Sequence, residues 1–338
     1  MKPFFIIFSL YIALISLSSC AREIPPRTEF VIGTVCSINL YDKGTDAVYS
    51  EIFSRLRELE SILSANRDGT NIAHINEGAG IKPIKANPET IEVLNEALLF
   101  SSKSNGALDP TVGPLVKAWN IGTDYAAVPS KDTLKKALAL IDYRKVIVDP
   151  NAGTVFLKDK GMKLDLGAVA KGYAADEIVK ILVKHKINKA IIDLGGNVFA
   201  MGEKTAGKNW TIGIRDPETK DGDSIMTISV KNKSIVTSGV YERFFIQDGV
   251  RYHHILDTQT GFPVKNDLLS VTIVSDRSID GDALSTTTFL LGTERGILFA
   301  EQMKGIDAIF INQKHEIRLT TGLLNSIKIL DPSYTVIN

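Results

Sequence analysis

Apolar positions along this chain recur with two different periods, and each change of period marks an element. VIGTVCSINLY, from Val31, alternates as a β-strand. Ile52, Leu56, Leu59 and Leu63 then fall on one stripe of a helix over residues 48–63. A second helix fits 88–104, with proline near its start and Asn105-Gly106 stopping it. Ser130 caps a third amphipathic helix around 134–140. Residues 145–148 and 154–157 form a hairpin around DPNAG, and a helix over 168–185 leads into the strand KAIIDLGG. From Trp210 strands dominate: WTIGIRD, IMTISV, SIVTSG, RFFIQ and LSVTIVS. A helix over 283–291, another near 296–303 and the strand DAIFIN follow. There is no repeat, no alternating βαβ series and no GxGxxG, so the class is α+β rather than a doubly wound nucleotide-binding sheet.

The start of the chain has a different character. Lys2 precedes an apolar run from Phe4 to Leu17, followed by Ser18, Ser19 and Cys20. A charged start, a short apolar core and small residues at the junction predict a secretory signal over 1–19, too short for a comfortable membrane span. LSSC also resembles a bacterial lipobox, which would make Cys20 the lipidated first residue of the mature protein; an ordinary signal peptide with an incidental cysteine is the plainer alternative. Residues 20–29 then read as a tether, and 30–338 as the domain. Cys36 is the other cysteine. With Cys20 acylated no intramolecular disulfide is possible, so the fold must stand on its core. Lysine plus arginine number 39 and aspartate plus glutamate 39. This even balance argues against nucleic acid as a partner. Membrane contact is expected through the anchor alone.

Candidate chemistry concentrates in five glycine-punctuated runs. DLGAVAKGYAADEI from Asp165 puts a turn, Lys171 and a helix start together, a combination suited to holding phosphate. GALDPTVGPL, IIDLGGN, HHILDTQTGFPV and DGDALSTTTFLLG are the others. Asp282 and Thr286 are four apart, so on a helix they share a face and could share a divalent ion, with Ser285 beside them. Capping of the following helix would explain Asp282 equally well. Lys171 has a plain alternative as a solvated lysine, and Asp165 as a turn-stabilising aspartate. His254 can accept a proton near neutral pH. Asp257 could orient that imidazole or cap the turn before TQTG. Gly195, Gly196 and Asn197 suggest a backbone nest. Glu242 and Arg243 read as cleft residues or as a strand-edge ion pair. His74, His185 and His315 read as surface residues without partners.

These runs, with Ile32-Gly33-Thr34 and TSGVYERFF, stand in the order found in the FAD:protein FMN transferases, the ApbE or Ftp family, and from Phe30 onward the chain resembles that family over its whole length. The resemblance implies a single large ApbE-like, T-fold-related domain of two closely packed lobes with the site between them. It implies a Mg2+-dependent enzyme that splits FAD, transfers FMN to a threonine hydroxyl of a target flavoprotein and releases AMP. It also implies targets such as Rnf- and Nqr-type flavin subunits outside the cytoplasm, and hence a lipid-anchored protein on the periplasmic face of the bacterial inner membrane. By family match, Ala107, Leu108 and Asp109 contact the flavin, as does Ile32. Asp165 bonds the ribose or base, Lys171 meets the pyrophosphate, and Leu256 makes an apolar contact, although a core strand position explains Leu256 as well. The Ala168 carbonyl joins Asp282 and Thr286 as metal ligands, and His254 assists the nucleophile.

Two positions depart from the family pattern. Ile32 replaces a common methionine, a near-isosteric apolar change. Asn66 stands where an aromatic residue is usual, and loses a stacking contribution of roughly 0.5–1.5 kcal/mol. Asparagine instead offers polar groups and space for water, or for a second ion near the phosphates; transfer chemistry stays in place, with water as a competitor of threonine for the same FAD. Three activities are therefore open: a flavin transferase, an FAD pyrophosphatase giving FMN and AMP, and an FAD-binding lipoprotein without catalysis.

Overall fold

The computed structural model describes residues 25–219 and 222–337. The expected signal, Cys20 and the first part of the tether lie outside the described residues. Among the described residues no helix is long and apolar enough to cross a membrane.

A nine-stranded sheet organises the molecule. Its spatial order is Arg27–Val31, Thr34–Leu40, Ala190–Leu194, Asn197–Met201, Lys233–Gly239, Leu268–Ser275, Asp307–Asn312, Glu316–Leu319 and Thr335–Val336. Every pairing is antiparallel except the last. Leu268–Ser275 is buried at every position, as a central strand covered on both faces must be. The helices Asp46–Leu63, Pro88–Lys103, Ala170–Lys184 and Ser278–Glu301 contribute to the main core with one face of this sheet. The sheet Trp210–Arg215, Ser224–Val230 and Ile327–Ile329 builds a second apolar cluster with strand residues such as Ala200, Ile235 and Ile309. A third cluster gathers Leu115, Trp119, Leu134 and Leu256 with Phe245, Tyr252 and Phe262. The α+β reading therefore holds, as a single domain in which this small third unit faces the larger body.

Local chemistry explains the boundaries. Thr45 and Ser130 cap their helices by accepting the N–H groups of Val48 and Thr133. Pro88 begins its helix where a missing N–H costs nothing. Three expectations need correction. VIGTVCSINLY is not one strand: Ile32 and Gly33 have φ of 51° and 71° and turn the chain between two strands. The helix expected over 168–185 begins at Ala170. The helix expected over 283–291 begins five residues earlier, at Ser278, and joins the next across a kink at Gly292 (φ 74°, ψ 174°). Its two leading N–H groups are taken by Asp176, reaching across from the neighbouring helix at 2.8 and 3.0 Å, so the start was not encoded by a local cap.

Cys36 is buried and free, and burial pushes its thiol up to about 12. It is a packing residue rather than a nucleophile.

Candidate active site

A cleft of about 1150 Å³ runs between the larger body and the third apolar unit. It slightly exceeds the roughly 300–1,000 Å³ usual for small-ligand sites, which suits a dinucleotide. Ile32, Asn66, Ala107, Leu108, Asp109, Asp165, Ala168, Lys171, His254, Leu256, Asp282 and Thr286 all line it. Ser285 does not. Its hydroxyl is fully buried, donates to the Asp282 carbonyl at 2.9 Å and bonds Ser238 at 2.8 Å, so it supports the wall instead of facing a metal.

The inner wall is formed where two helices meet. Asp282 lies one turn inside its helix and is 3% exposed, so it is not an N-cap. Its Oδ2 accepts the Gly172 N–H at 2.9 Å, and its Oδ1 is 3.6 Å from Lys171 Nζ. Gly172 is the third residue of its helix, so its N–H has no acceptor within the helix and Asp282 satisfies it; the Ala168 carbonyl, just before the helix, has no backbone donor among the described residues. The Lys171 N–H has no protein acceptor there either. The helix start thus offers a free N–H, an ammonium and the favourable end of the helix dipole to an anion.

Among the described residues Thr286 Oγ1 has only a 3.4 Å contact with Ser238. Together with the Asp282 carboxylate and the Ala168 carbonyl it makes an all-oxygen donor set, the type a small hard cation takes while keeping positions for phosphate and water. Among the described residues there is no group of three or more His, Cys, Asp or Glu side chains that could hold a metal. The oxygen set carries one carboxylate, which suits an ion sharing its charge with a phosphate ligand.

His254 stands on the opposite side, just after the strand Val250–His253. The Arg243 carbonyl accepts its Nδ1–H at 3.2 Å, which leaves Nε2 with its lone pair. Enclosure by the protein, reinforced by the Arg243 charge, drives the imidazole down to about 3. The ring is therefore neutral in ordinary buffers and presents the Nε2 lone pair as a hydrogen-bond acceptor. His253 points the other way: it is buried, with Nε2 bonded to the Val264 carbonyl at 3.2 Å.

Several alternatives separate cleanly. Asp257 accepts the Gln259 and Thr260 N–H groups at 2.7 and 3.3 Å, the geometry of a turn cap. Asp165 accepts the Gly167 N–H at 2.8 Å and still lines the cleft. Burial raises its carboxyl, against the pull of that N–H and of Arg243 and Lys171. Asp109 is bound to Thr111 and Tyr143 by both oxygens, so it organises the turn that presents Ala107 and Leu108. Leu256 is at once a member of the Trp119 cluster and a cleft residue. Asp193 takes the Gly196 N–H at 2.9 Å and also bonds that of Gly195, so those two glycines form no open nest. What Asn197 supplies instead is a buried side-chain amide whose Nδ2 has no partner. Glu242 pairs with Arg215 at 2.7 Å, not with Arg243. His185 and His315 each meet a glutamate, Glu51 and Glu218, at 2.7 and 2.6 Å, correcting their reading as unpartnered.

Ser238 and Gly172 were not singled out individually by the sequence. Ser238 lay within TSGVYERFF, and Gly172 follows the lysine of DLGAVAKGYA; only the meeting of the two helices reveals what each does.

Comparison with known proteins gives this geometry its context. The profile of the ApbE family matches residues 32–310. An FAD:protein FMN transferase of Treponema pallidum is 42% identical over 327 residues, covering 92% of this chain and 90% of its own length. The ApbE protein of Thermotoga maritima superposes with a TM-score of 0.82 at 30% identity, over 88% of this chain and 97% of that one. The flavin transferase ApbE of Vibrio cholerae gives 0.77 at 27% identity, over 92% and 97%. A flavin-transferring enzyme is what the cleft, its donors and these relatives together describe: the chain belongs to the ApbE family.

Proposed function

We propose that this enzyme is a magnesium-dependent FAD:protein FMN transferase acting on a threonine of a target flavoprotein, with AMP as the other product. The observation that carries the reading is the convergence of Lys171, the free helix-start N–H, Asp282, Thr286 and the Nε2 lone pair of His254 on one dinucleotide-sized cleft. A magnesium ion held by Asp282, Thr286 and the Ala168 carbonyl would neutralise charge on the phosphate oxygens. Lys171 and its backbone N–H bind the pyrophosphate, while Ile32, Ala107, Leu108 and Leu256 bear on the flavin side. His254 Nε2 takes the threonine proton as the hydroxyl oxygen bonds the FMN phosphorus. The bond from that phosphorus to the bridging oxygen breaks, and AMP leaves with that oxygen. In the cell the protein works exported and lipid-anchored through Cys20 at the periplasmic face of the inner membrane, on flavin subunits of the Rnf and Nqr type.

A second activity has its own support. Asn66 is exposed at the cleft and its loop presents polar groups there, so water reaches the same phosphorus and gives free FMN and AMP. One product analysis tests both readings. The full-length protein in detergent is incubated with FAD and magnesium, with and without a threonine-bearing acceptor domain of an Nqr-type subunit. Flavin on the acceptor, abolished by Asp282→Ala, is expected. Free FMN and AMP with no labelled acceptor would replace transferase by pyrophosphatase, and intact FAD under every metal would end both.

A further inference from the structure

We propose that Arg243 is a second cationic contact for the dinucleotide pyrophosphate, supplied from a different wall of the cleft than Lys171. The proposal rests on the reading of FAD as substrate and adds the group that answers the remaining phosphate charge.

Besides Arg243, four basic side chains line the cleft: Lys117 and Lys163, which offer single point charges, and Arg67 and Lys171. Arg67 lines the cleft but is paired with Glu60 at 2.6 Å. Lys171 is 3.6 Å from Asp282, so part of its field is spent inside the wall. Arg243 differs. Its sequence neighbour Glu242 is taken by Arg215, and among the described residues no carboxylate forms an ion pair with the Arg243 guanidinium. Among the described residues its one side-chain hydrogen bond is a long one, 3.4 Å, to the Gly33 carbonyl across the cleft. An arginine spanning two rims on one weak neutral contact is held near its place while most of its donors stay open.

Its backbone is fixed by the residue that handles the proton. The Arg243 carbonyl accepts the His254 N–H at 3.0 Å and the His254 Nδ1–H at 3.2 Å. The guanidinium and the imidazole therefore leave adjacent strands side by side. The Arg243 charge also acts on Asp165, on the far side of the ligand space. A pyrophosphate between the helix start and His254 would lie within that field. The planar fork of arginine suits paired phosphate oxygens, whereas lysine offers a point charge. The Gly33 carbonyl is a weak holding partner that an anionic ligand readily displaces.

The test uses the full-length protein and its Arg243→Gln and Arg243→Lys variants. FAD, and riboflavin as the phosphate-free probe, are titrated by fluorescence at low and high NaCl, with ligand-free melting as the control for folding. Loss of a charged hydrogen-bonding partner predicts FAD affinity about 10- to 100-fold weaker in Arg243→Gln. Riboflavin binding and melting should hold, salt dependence should fall, and Arg243→Lys should recover part of the loss. Wild-type FAD affinity in Arg243→Gln overturns the proposal. An equal loss of riboflavin, or a lowered melting temperature, overturns it too, because the side chain would then be shaping the cleft rather than binding phosphate. A wild-type chain that takes up neither flavin would instead sink the FAD reading itself.

Discussion

The two walls of the cleft are built on opposite terms. On the inner wall two helices approach until backbone meets backbone: a Cβ on Gly172 would lie 2.3 Å from the Ser278 carbonyl oxygen and 2.6 Å from Ile279 Cα. Asp282, 3% exposed, is pinned there by the Gly172 N–H, and the second helix starts on the Asp176 carboxylate. The outer wall is a two-stranded hairpin, Phe244–Gln247 with Val250–His253, carrying exposed Phe244, Ile246 and Val250. It is held mainly through the Trp119 cluster and the Trp119 Nε1–H bond to the Gly261 carbonyl at 2.7 Å. The difference separates two tasks. Groups that must hold charge at fixed positions sit where nothing can shift, and the histidine and arginine that meet the incoming ligands sit where movement costs less.

The same small change should therefore have unequal effects on the two sides. Gly172→Ala forces a methyl into backbone that has no flexible end to yield. The helices must part, the Asp282 bond lengthens, and we expect a loss of about 3 kcal/mol of stability, at the upper end for overpacking, with transfer activity lost alongside. Gly33→Ala meets no atom within 4 Å but needs φ of 71°, so it should cost only about 1 kcal/mol. Paired denaturant melts measure both. Similar losses in the two variants would erase the contrast between the walls.

That contrast also sorts what the sequence made legible. The ordered motifs placed Lys171, Asp282, Thr286 and His254 on one cleft because each carries its chemistry in its own side chain. Helix stripes and the Thr45 and Ser130 caps likewise express local rules. What stayed hidden depends on two distant segments meeting. The capping of Ser278 by Asp176, 102 residues away, is one case. The bond from the Gly172 N–H to the Asp282 carboxylate, 110 residues away, is another. Ser285 was assigned to the ligand side because helical spacing gives direction along one helix only; the bond to Ser238 turns it inward. Glu242 and Arg243 do line the cleft, and only their alternative as a strand-edge ion pair fails, because adjacency in sequence says nothing of Arg215.

Acid should act on the outer wall through His253. Its Nε2–H is donated to Val264 and its Nδ1 accepts the Ile255 N–H at 3.3 Å, so the folded state has no room for a second ring proton. Burial accordingly lowers its pKa from 6.5 to about 4. The unfolded chain then binds more protons than the folded one between those values. The stability supplied by neutral burial is whole above pH 6.5 and is lost as pH falls towards 4, by up to about 3 kcal/mol at about 1.4 kcal/mol per unit. Buried carboxyls whose pKa is raised, such as Asp176, work in the opposite sense, so the comparison is with His253→Gln. Urea unfolding at pH 7 and pH 4.5 should show a smaller acid loss in the variant. An equal loss in both proteins would remove His253 as the acid-sensitive group.

The smallest effect belongs to the turn at the cleft mouth. Ile32 and Gly33 both have positive φ, as the two central residues of a type I′ hairpin turn do, where asparagine before glycine is preferred. A β-branched isoleucine there is an outlier, and such strain costs of order 1–3 kcal/mol. Half-burial of its side chain against the main core returns roughly 1 kcal/mol. Strain relief thus outweighs lost packing, and Ile32→Asn should leave the melting temperature unchanged or slightly higher while weakening FAD binding. The expected stability change is below about 1 kcal/mol, which requires the two quantities to be read together. A melting temperature lowered by several degrees would mean that Ile32 is an ordinary packing residue. A stabler protein with poorer FAD binding would show strain retained at the mouth because the flavin needs that apolar side chain.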